Sequence, residues 1–132
     1  MDAATALAGL QGLSSRFESA VILDDGGAVL GSTPDEAAGE RLAGAVTDVL
    51  SAAAALRSPD VEVMRVEVEV DDGALFVLRD NGRTIAATAR PGAVAGIAVR
   101  DLRTCLESID AAKPKRRRSA RKPKVSEEED AA

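Results

Sequence analysis

The stretch SAVILDDGGAVLGS, residues 19–32, places two short aliphatic runs on either side of an Asp-Asp-Gly-Gly turn. The runs Ala20–Leu23 and Ala28–Leu30 are rich in residues that suit a pleated, half-buried strand. Aspartate and glycine supply the positive φ angles that a tight turn needs. The stretch therefore predicts a β-hairpin near the amino terminus.

One helix is predicted on each side of this hairpin. Before it, Leu7, Leu10 and Phe17 recur at helical spacing and predict a short amphipathic helix over about residues 3–17. After it, the segment 32–36 (Ser-Thr-Pro-Asp-Glu) supplies a capping residue, a proline near the first turn and two early acids. This second helix is predicted to end at about residue 56 or 57.

The second helix has an unusually wide face of apolar and small residues. Its arc covers roughly 200°, about twice the width that contact with one core requires. We interpret the excess as a second partner surface, although alanine also tolerates exposure and favours helix propagation. The central stripe consists of Ala38, Leu42, Val46, Val49, Ala53 and Leu56, and Ala43, Ala45, Leu50, Ala52 and Ala54 widen it.

After residue 60, apolar residues recur at every second position instead of at helical spacing. Valines and Met64 alternate with charged residues over 64–70 and predict a half-buried strand, which begins at Met64 or has a bulge near it. Turns at 71–73 and 80–82 lead into an all-apolar run at 74–78, suited to a central strand, and a third strand at 83–89. The three strands form a meander.

The spacing of apolar residues predicts which face of each of the last two elements is buried. Ile85, Ala87 and Ala89 share one face of the third meander strand. Pro91 and Gly92 then break the sheet, and a closing helix is predicted after them. Its buried stripe is Val94, Ala98, Leu102, Cys105 and Ile109, with Ile97 and Leu106 beside it.

The resulting order, α-β-β-α-β-β-β-α, resembles the roadblock/LC7 family, small profilin-like dimerisation modules found beside dynein and beside Ras-like GTPases. Residues 19–32 are similar to the family's first hairpin, and Gly39–Ala43 to the start of its Ala-rich second helix. The segments 73–78 and 94–97 fit its later strands and final helix. The resemblance implies an α+β, profilin-like sandwich, in which a five-stranded antiparallel sheet packs with a long helix and terminal helices.

The resemblance also implies a homodimer. In it the second helices of two copies lie against each other and the two sheets join across the interface. This agrees with the wide arc of the second helix, because small residues let two helix backbones approach closely. The expected interface residues are Ala38, Leu42, Ala45, Val49 and Ala52.

The charges divide the chain into two parts. Residues 1–109 carry nine arginines, no lysine and seventeen acidic residues, a net charge of −8. Residues 113–124 carry eight basic residues and no acid, and an acidic end follows at 127–130. We therefore predict one roadblock/LC7-like domain over 1–109 and a tail over 110–132, which has too little apolar bulk to offset the entropy of ordering and is expected to be disordered.

The basic tail suggests a function of its own. A run of positive charge favours salt-sensitive, sequence-independent binding to nucleic acid, or to another polyanion such as anionic lipid. The alternative is a solubilising tail that folds back onto the acidic domain or its own acidic end. The residues concerned are Lys113, Lys115, Arg116, Arg117, Arg118, Arg121, Lys122 and Lys124.

The chemistry of an enzyme is largely missing from the sequence. It contains no histidine, one cysteine and no Gly-rich phosphate loop, so neither a cofactor nor a metal site is expected. The pairs at 24–25 and 71–72 are interpreted as solvated turns, and Cys105 as a small core residue. No segment reaches the roughly 18 to 20 apolar residues of a membrane span. We expect a non-enzymatic, cytoplasmic protein, and the Ala-, Gly- and Arg-rich composition suggests a bacterial source.

Two hypotheses about function follow. The resemblance implies an adaptor or regulator of a small Ras-like GTPase, which would stabilise one state of the switch loops or orient catalytic residues that the GTPase already has. Arg65 or Arg79 as an arginine finger is a minor variant of this hypothesis. In the second hypothesis, the domain dimerises a basic tail that binds nucleic acid or another polyanion.

Overall fold

A computed structural model describes residues 2–13, 16–56 and 62–111 of the chain, and these form one antiparallel sheet flanked by helices. The strand order is β2-β1-β5-β4-β3. The predicted α+β class, the five-stranded antiparallel sheet and the order α-β-β-α-β-β-β-α are confirmed. The elements are α1 (Ala3–Leu13), β1 (Phe17–Leu23), β2 (Val29–Thr33), α2 (Glu36–Ala54), β3 (Arg65–Val70), β4 (Gly73–Asp80), β5 (Arg83–Ala89) and α3 (Ala95–Ala111).

The two faces of the sheet carry two separate hydrophobic clusters. On one face, α1 and α3 pack against β1, β4 and β5, and the predicted inward face of β5 lies in this cluster. On the other face, Leu42 and Val46 of α2 pack against Val21, Val77 and Ala86. Alternation along each strand sends successive side chains to opposite faces, so each interior strand serves both clusters.

Phe17 does not belong to α1, contrary to the prediction. The helix ends at Leu13, and Phe17 is the first residue of β1, where it pairs with Ala89. Its aromatic ring is still buried in the cluster that α1 covers. Backbone pairing at the end of β5 explains the change, because the Arg90 N–H donates to the Arg16 carbonyl at 2.8 Å and extends the ladder into this segment.

The bounds of α2 also differ from the prediction. Ser32 and Thr33 belong to β2, and the capping residue is Asp35, whose carboxylate accepts a hydrogen bond from the Ala38 N–H at 2.8 Å. The helix ends at Ala54, so Leu56 lies beyond the buried stripe and is 82% exposed. The hairpin that precedes α2 therefore extends further than the aliphatic run suggested.

The meander is formed as predicted, but β3 is more exposed than expected. The bounds of β5 agree with the predicted strand, and β4 lies between β3 and β5. The strand β3 begins at Arg65 and pairs with β4 without a bulge over 65–70. Its valine face is only partly covered, because α2 packs mainly over β1 and β2. The prediction of a half-buried strand was therefore wrong for its carboxyl-terminal half.

The remaining differences concern the ends of the chain. Val94 precedes α3 and is exposed, whereas Ala98, Leu102, Cys105 and Ile109 are buried as predicted. The helix α3 continues to Ala111, so the first two residues of the predicted tail over 110–132 are helical, contrary to the prediction. The rest of the tail, its predicted disorder and its acidic end lie outside the described residues, as does the Ser-Pro-Asp segment at 58–60.

Candidate interaction surface

The outer edge of β3 is a free sheet edge, since among the described residues β3 pairs with β4 alone. The Met64 carbonyl accepts a hydrogen bond from the Arg79 N–H at 2.8 Å, so the polar backbone groups of residue 64 face β4. In an antiparallel pair this direction alternates along the strand. The N–H and C=O groups of Arg65, Glu67 and Glu69 therefore point away from the sheet, where they can pair with another strand.

An exposed apolar area lies beside this edge, on the α2 side of the sheet. Met64, Val68 and Val70 are 51%, 39% and 61% exposed. A shallow depression of about 280 Å³ runs along the same side and is lined by Val68, Val70, Leu75 and Thr88 among others. Side chains of this type, placed next to an unpaired strand edge, are typical of an interaction site.

A second depression, of about 410 Å³, separates α2 from the sheet. Glu18 and Thr88 line both depressions, so the two are adjacent. The Ser19 and Thr88 hydroxyl oxygens lie 2.6 Å apart in a hydrogen bond on its floor. The α2 wall contributes Ala38, Arg41, Leu42 and Ala45. We call the free edge of β3, the two depressions and this wall the β3–α2 surface.

The five residues expected at the dimer interface do not lie in equivalent positions. Leu42 is buried against the chain's own sheet, Ala38 is buried, and Val49 is half-buried. Ala45 and Ala52 are exposed. In this chain Ala45 and Ala52 are therefore the most accessible of the five to a second protein, and the interface assignment stays a prediction.

The two arginine candidates have different surroundings. The Arg65 Nε lies 3.3 Å from the Glu67 carboxylate, on the free strand, and both side chains are exposed. A terminal nitrogen of Arg79 lies 3.8 Å from the Asp25 carboxylate and 3.7 Å from that of Glu62. The Arg79 side chain is only 26% exposed, and its Nε is buried with no hydrogen-bond partner in the described part of the chain. Arg79 thus connects the β1–β2 turn with the segment before β3.

The other side chains considered as catalytic or metal-binding candidates have structural roles. The Asp24 carboxylate accepts hydrogen bonds from the Gly26 and Ala28 N–H groups, both at 2.9 Å, and closes the hairpin turn. Burial raises the pKa of the Cys105 thiol to about 11, which keeps it protonated at neutral pH. Within 2–13, 16–56 and 62–111, no group of three or more His, Cys, Asp or Glu side chains could hold a metal ion. None of the helices there is long and apolar enough to cross a membrane.

The sequence did not reveal two features of this surface. The hydroxyl pair of Ser19 and Thr88 joins residues 69 positions apart, which no local pattern connects. The exposure of Val68 and Val70 depends on where α2 crosses the sheet, which the period-two pattern does not encode. The one available signal was the resemblance, since it implied sheets that join across an interface.

Comparison with known proteins shows which solved structures share this fold. No family model and no curated protein matches the sequence. A roadblock/LC7 domain from Streptomyces avermitilis is 25% identical with a TM-score of 0.71, and the alignment covers 84% of this chain and 97% of that one. The gliding protein MglB from Thermus thermophilus is 16% identical with a TM-score of 0.66, covering 83% and 86%.

A more distant likeness has the profilin architecture. LokiProfilin2, solved in complex with rabbit actin, is 10% identical with a TM-score of 0.55, and the alignment covers 80% of this chain and 94% of that one. Its similarity agrees with a profilin-like sandwich. The higher scores belong to structures described as roadblock/LC7 domains and MglB proteins. With these structural relatives, the chain has the fold of roadblock/LC7 domains, as the resemblance in its sequence implied.

Proposed function

We propose that this domain forms a homodimer through the β3–α2 surface and acts as a non-enzymatic adaptor or regulator of a small Ras-like GTPase. The free edge of β3, next to exposed valines, is the observation that carries the proposal. An unpaired edge of this kind is a template for strand addition. A second copy would satisfy the outward backbone groups and cover the apolar area at the same time.

The α2 wall supports the same dimer. Ala45 and Ala52 are exposed, and their small side chains would allow the backbone of a second helix to approach closely. A second α2 lying along the wall would bury them together with the depression that Ala38 and Leu42 line. The proposed dimer therefore joins two sheets into one and places the two α2 helices on its same face.

The GTPase part of the proposal rests on the family resemblance. A roadblock dimer would act by binding one conformation of the switch loops of the GTPase and stabilising it. Arg79 is already held between Asp25 and Glu62, which argues against its extending into another protein's active site as a finger. The domain would thus supply a binding platform, while the GTPase supplies the residues that act on the nucleotide.

The test is a nucleotide-dependent retention experiment. The full-length protein and a variant lacking residues 112–132 are immobilised and incubated with native cytosol that contains either GDP or a non-hydrolysable GTP analogue. We expect mass spectrometry to find a small GTPase on both proteins and in one nucleotide state only. Single-turnover GTP hydrolysis by that purified GTPase, with and without the domain, then gives the sign of the regulation. Equal retention in both states would contradict regulation through the switch loops.

A second proposed function concerns the basic tail. Eight basic residues within 113–124 give sixteen positive charges in a dimer, which favours salt-sensitive binding to nucleic acid or another polyanion. The tail has no aromatic residue for base stacking, so such binding would be electrostatic and independent of sequence. In the retention experiment, nucleic acid on the full-length protein alone would favour this function.

A further inference from the structure

The β3 edge carries enough information to assign how two copies pair, given the homodimer proposed above on which this inference rests. The outward backbone groups belong to residues 65, 67 and 69, as the Met64–Arg79 hydrogen bond establishes. In a two-fold antiparallel pair these residues must lie opposite one another, and both α2 helices then stay on the same face. The two-fold axis therefore lies midway between the two copies of one residue of β3, and the registers to compare are centred on residues 66, 67 and 68.

Backbone pairing favours the middle register. Centred on Glu67, the pairing sets residue 65 opposite 69, 67 opposite 67, and 69 opposite 65, so every outward group of β3 is used and about six hydrogen bonds form. Centred on 66, it sets Glu69 opposite residue 63, which lies before the strand begins. Centred on 68, it sets Arg65 opposite Asp71 in the β3–β4 turn.

The side chains on the α2 face favour the same register. Centred on Glu67, Val66 lies opposite Val68 of the partner subunit, and Met64 opposite Val70 of the partner subunit. This pairing covers the three exposed apolar side chains of the edge. The register centred on 66 would instead place Val70 opposite Glu62, whose carboxylate contacts Arg79 in its own chain.

The charges on the opposite face disfavour the register centred on residue 68 and are compatible with the one centred on Glu67. Centred on Glu67, Arg65 of each chain lies opposite Glu69 of the partner subunit, which gives two attractive pairs across the axis. The two Glu67 carboxylates face each other, but each has its own Arg65 Nε at 3.3 Å. The register centred on 68 would set Glu67 opposite Glu69 twice, and like charges directly opposite destabilise a sheet.

We infer that two copies pair through β3 with the two-fold axis at Glu67, where Arg65, the one basic residue of the strand, pairs with Glu69 of the partner subunit. Arg65 then contributes to self-association. The pattern Arg-Val-Glu-Val-Glu-Val over 65–70 is self-complementary in this register, because its apolar side chains meet apolar ones and its arginine meets a glutamate.

Cysteine crosslinking tests the register directly. In a Cys105→Ser background, Glu67→Cys should form an intermolecular disulfide on mild oxidation, because directly opposed residues have Cα atoms about 5.5 Å apart. Val66→Cys alone and Val68→Cys alone should not crosslink, since residues two positions out of register are beyond the roughly 7 Å limit. A mixture of the Val66→Cys and Val68→Cys proteins should crosslink as a heterodimer.

The outcomes separate this inference from the dimer itself. Light scattering on each variant before oxidation reports whether the homodimer exists. A dimer in which Val66→Cys or Val68→Cys crosslinks alone, or in which none of these proteins crosslinks, would overturn the assigned register and leave the homodimer standing. A monomer at every concentration tested would instead overturn the homodimer.

Charge exchange tests the role of Arg65. Arg65→Glu should raise the dimer dissociation constant roughly tenfold or more, since it replaces two attractive pairs with two repulsive ones. The double variant Arg65→Glu with Glu69→Arg restores opposite charges and should return the constant to within about threefold of the original. Glu107→Arg, an exposed site on α3, is the control for the added charge and should not rescue Arg65→Glu. Rescue by Glu107→Arg to the same extent would show a net-charge effect and overturn the pairing.

Discussion

Gly39 sets how closely α2 lies on the hairpin. A Cβ atom built at this position would collide with the Ser32 side chain on β2, whereas one at Gly44 meets nothing within 4 Å. Both glycines lie inside α2, where alanine is better by about 1 kcal/mol in intrinsic helix propensity. The close approach of helix and strand therefore depends on one missing methyl group.

We predict that Gly39→Ala destabilises the domain by about 1 kcal/mol or more, because overpacking costs about 1 to 3 kcal/mol and outweighs the helix gain. Gly44→Ala, its matched control, should stabilise by about 0.5 to 1 kcal/mol. Urea unfolding at one fixed protein concentration measures both. Ser32→Gly in the Gly39→Ala background should recover most of the loss, and a failure to do so would locate the strain elsewhere.

The burial of Cys105 predicts that the domain loses stability at alkaline pH. Burial raises the pKa of its thiol from 9.0 to about 11, so the folded state keeps a proton that the unfolded state loses. The associated stability is fully present below about pH 9 and is lost as pH rises towards 11, on the order of 2 kcal/mol in total. The sequence has no tyrosine, and every lysine lies beyond residue 112, so few other groups titrate in this window.

The measurement is urea unfolding under reducing conditions at pH 7, 9 and 10.5. The original protein should lose stability across the upper interval. Cys105→Ala should start less stable, because it leaves a small cavity, and should show a flatter pH dependence. An equal alkaline loss in both proteins would assign the titration to a group other than Cys105.

At the level of elements, the turns could be predicted from the sequence, but which strand faces are covered by a helix could not. Asp80-Asn81-Gly82 fixed the start of β5, because Asn81 and Gly82 adopt the positive φ angles that such a turn requires. The place of Phe17 in a strand and the exposure of Val70 depended on long-range packing instead. Phe17 joined β1 through the end of β5, and Val70 stayed exposed because α2 crosses β1 and β2. Period and propensity predict which residues form a strand, but not which neighbour covers them.

The α2 helix carries a prediction about self-association. Ala45 is exposed in the single chain, so Ala45→Glu should leave the fold intact, since glutamate is a good helix former. In the proposed dimer the same carboxylate becomes buried without a partner, which costs several kcal/mol. We expect light scattering to find a monomer, with the dissociation constant raised about 100-fold or more, and circular dichroism to be unchanged.

Thr47→Glu provides the matched control on the same helix. Thr47 is exposed, and two helical positions turn its side chain about 200° away from that of Ala45. This variant should remain a dimer. If Ala45→Glu were also dimeric at the concentrations where the original protein is, the interface would lie away from this wall of α2.

At the scale of the whole molecule, an acidic domain is joined to a basic segment. Residues 1–109 carry a net charge of −8, and the following 23 residues one of +3. In the proposed dimer both values double, so the two basic segments would act as one multivalent arm while the acidic domains would repel a polyanion. Any polyanion contact should therefore belong to the segment alone and should depend strongly on salt.

We predict that the full-length protein binds duplex DNA or heparin at low salt and that deletion of residues 112–132 abolishes this binding. Deletion of 125–132 is the matched control, because it removes the four acids at 127–130 and keeps all eight basic residues. That variant should bind at least as tightly as the full-length chain. Binding measured from 50 to 200 mM salt should weaken with a log–log slope of about −0.9 for each phosphate neutralised on duplex DNA. If the 112–132 deletion still shifted DNA at low salt, the acidic domain itself would hold the site, and the basic segment would serve only solubility.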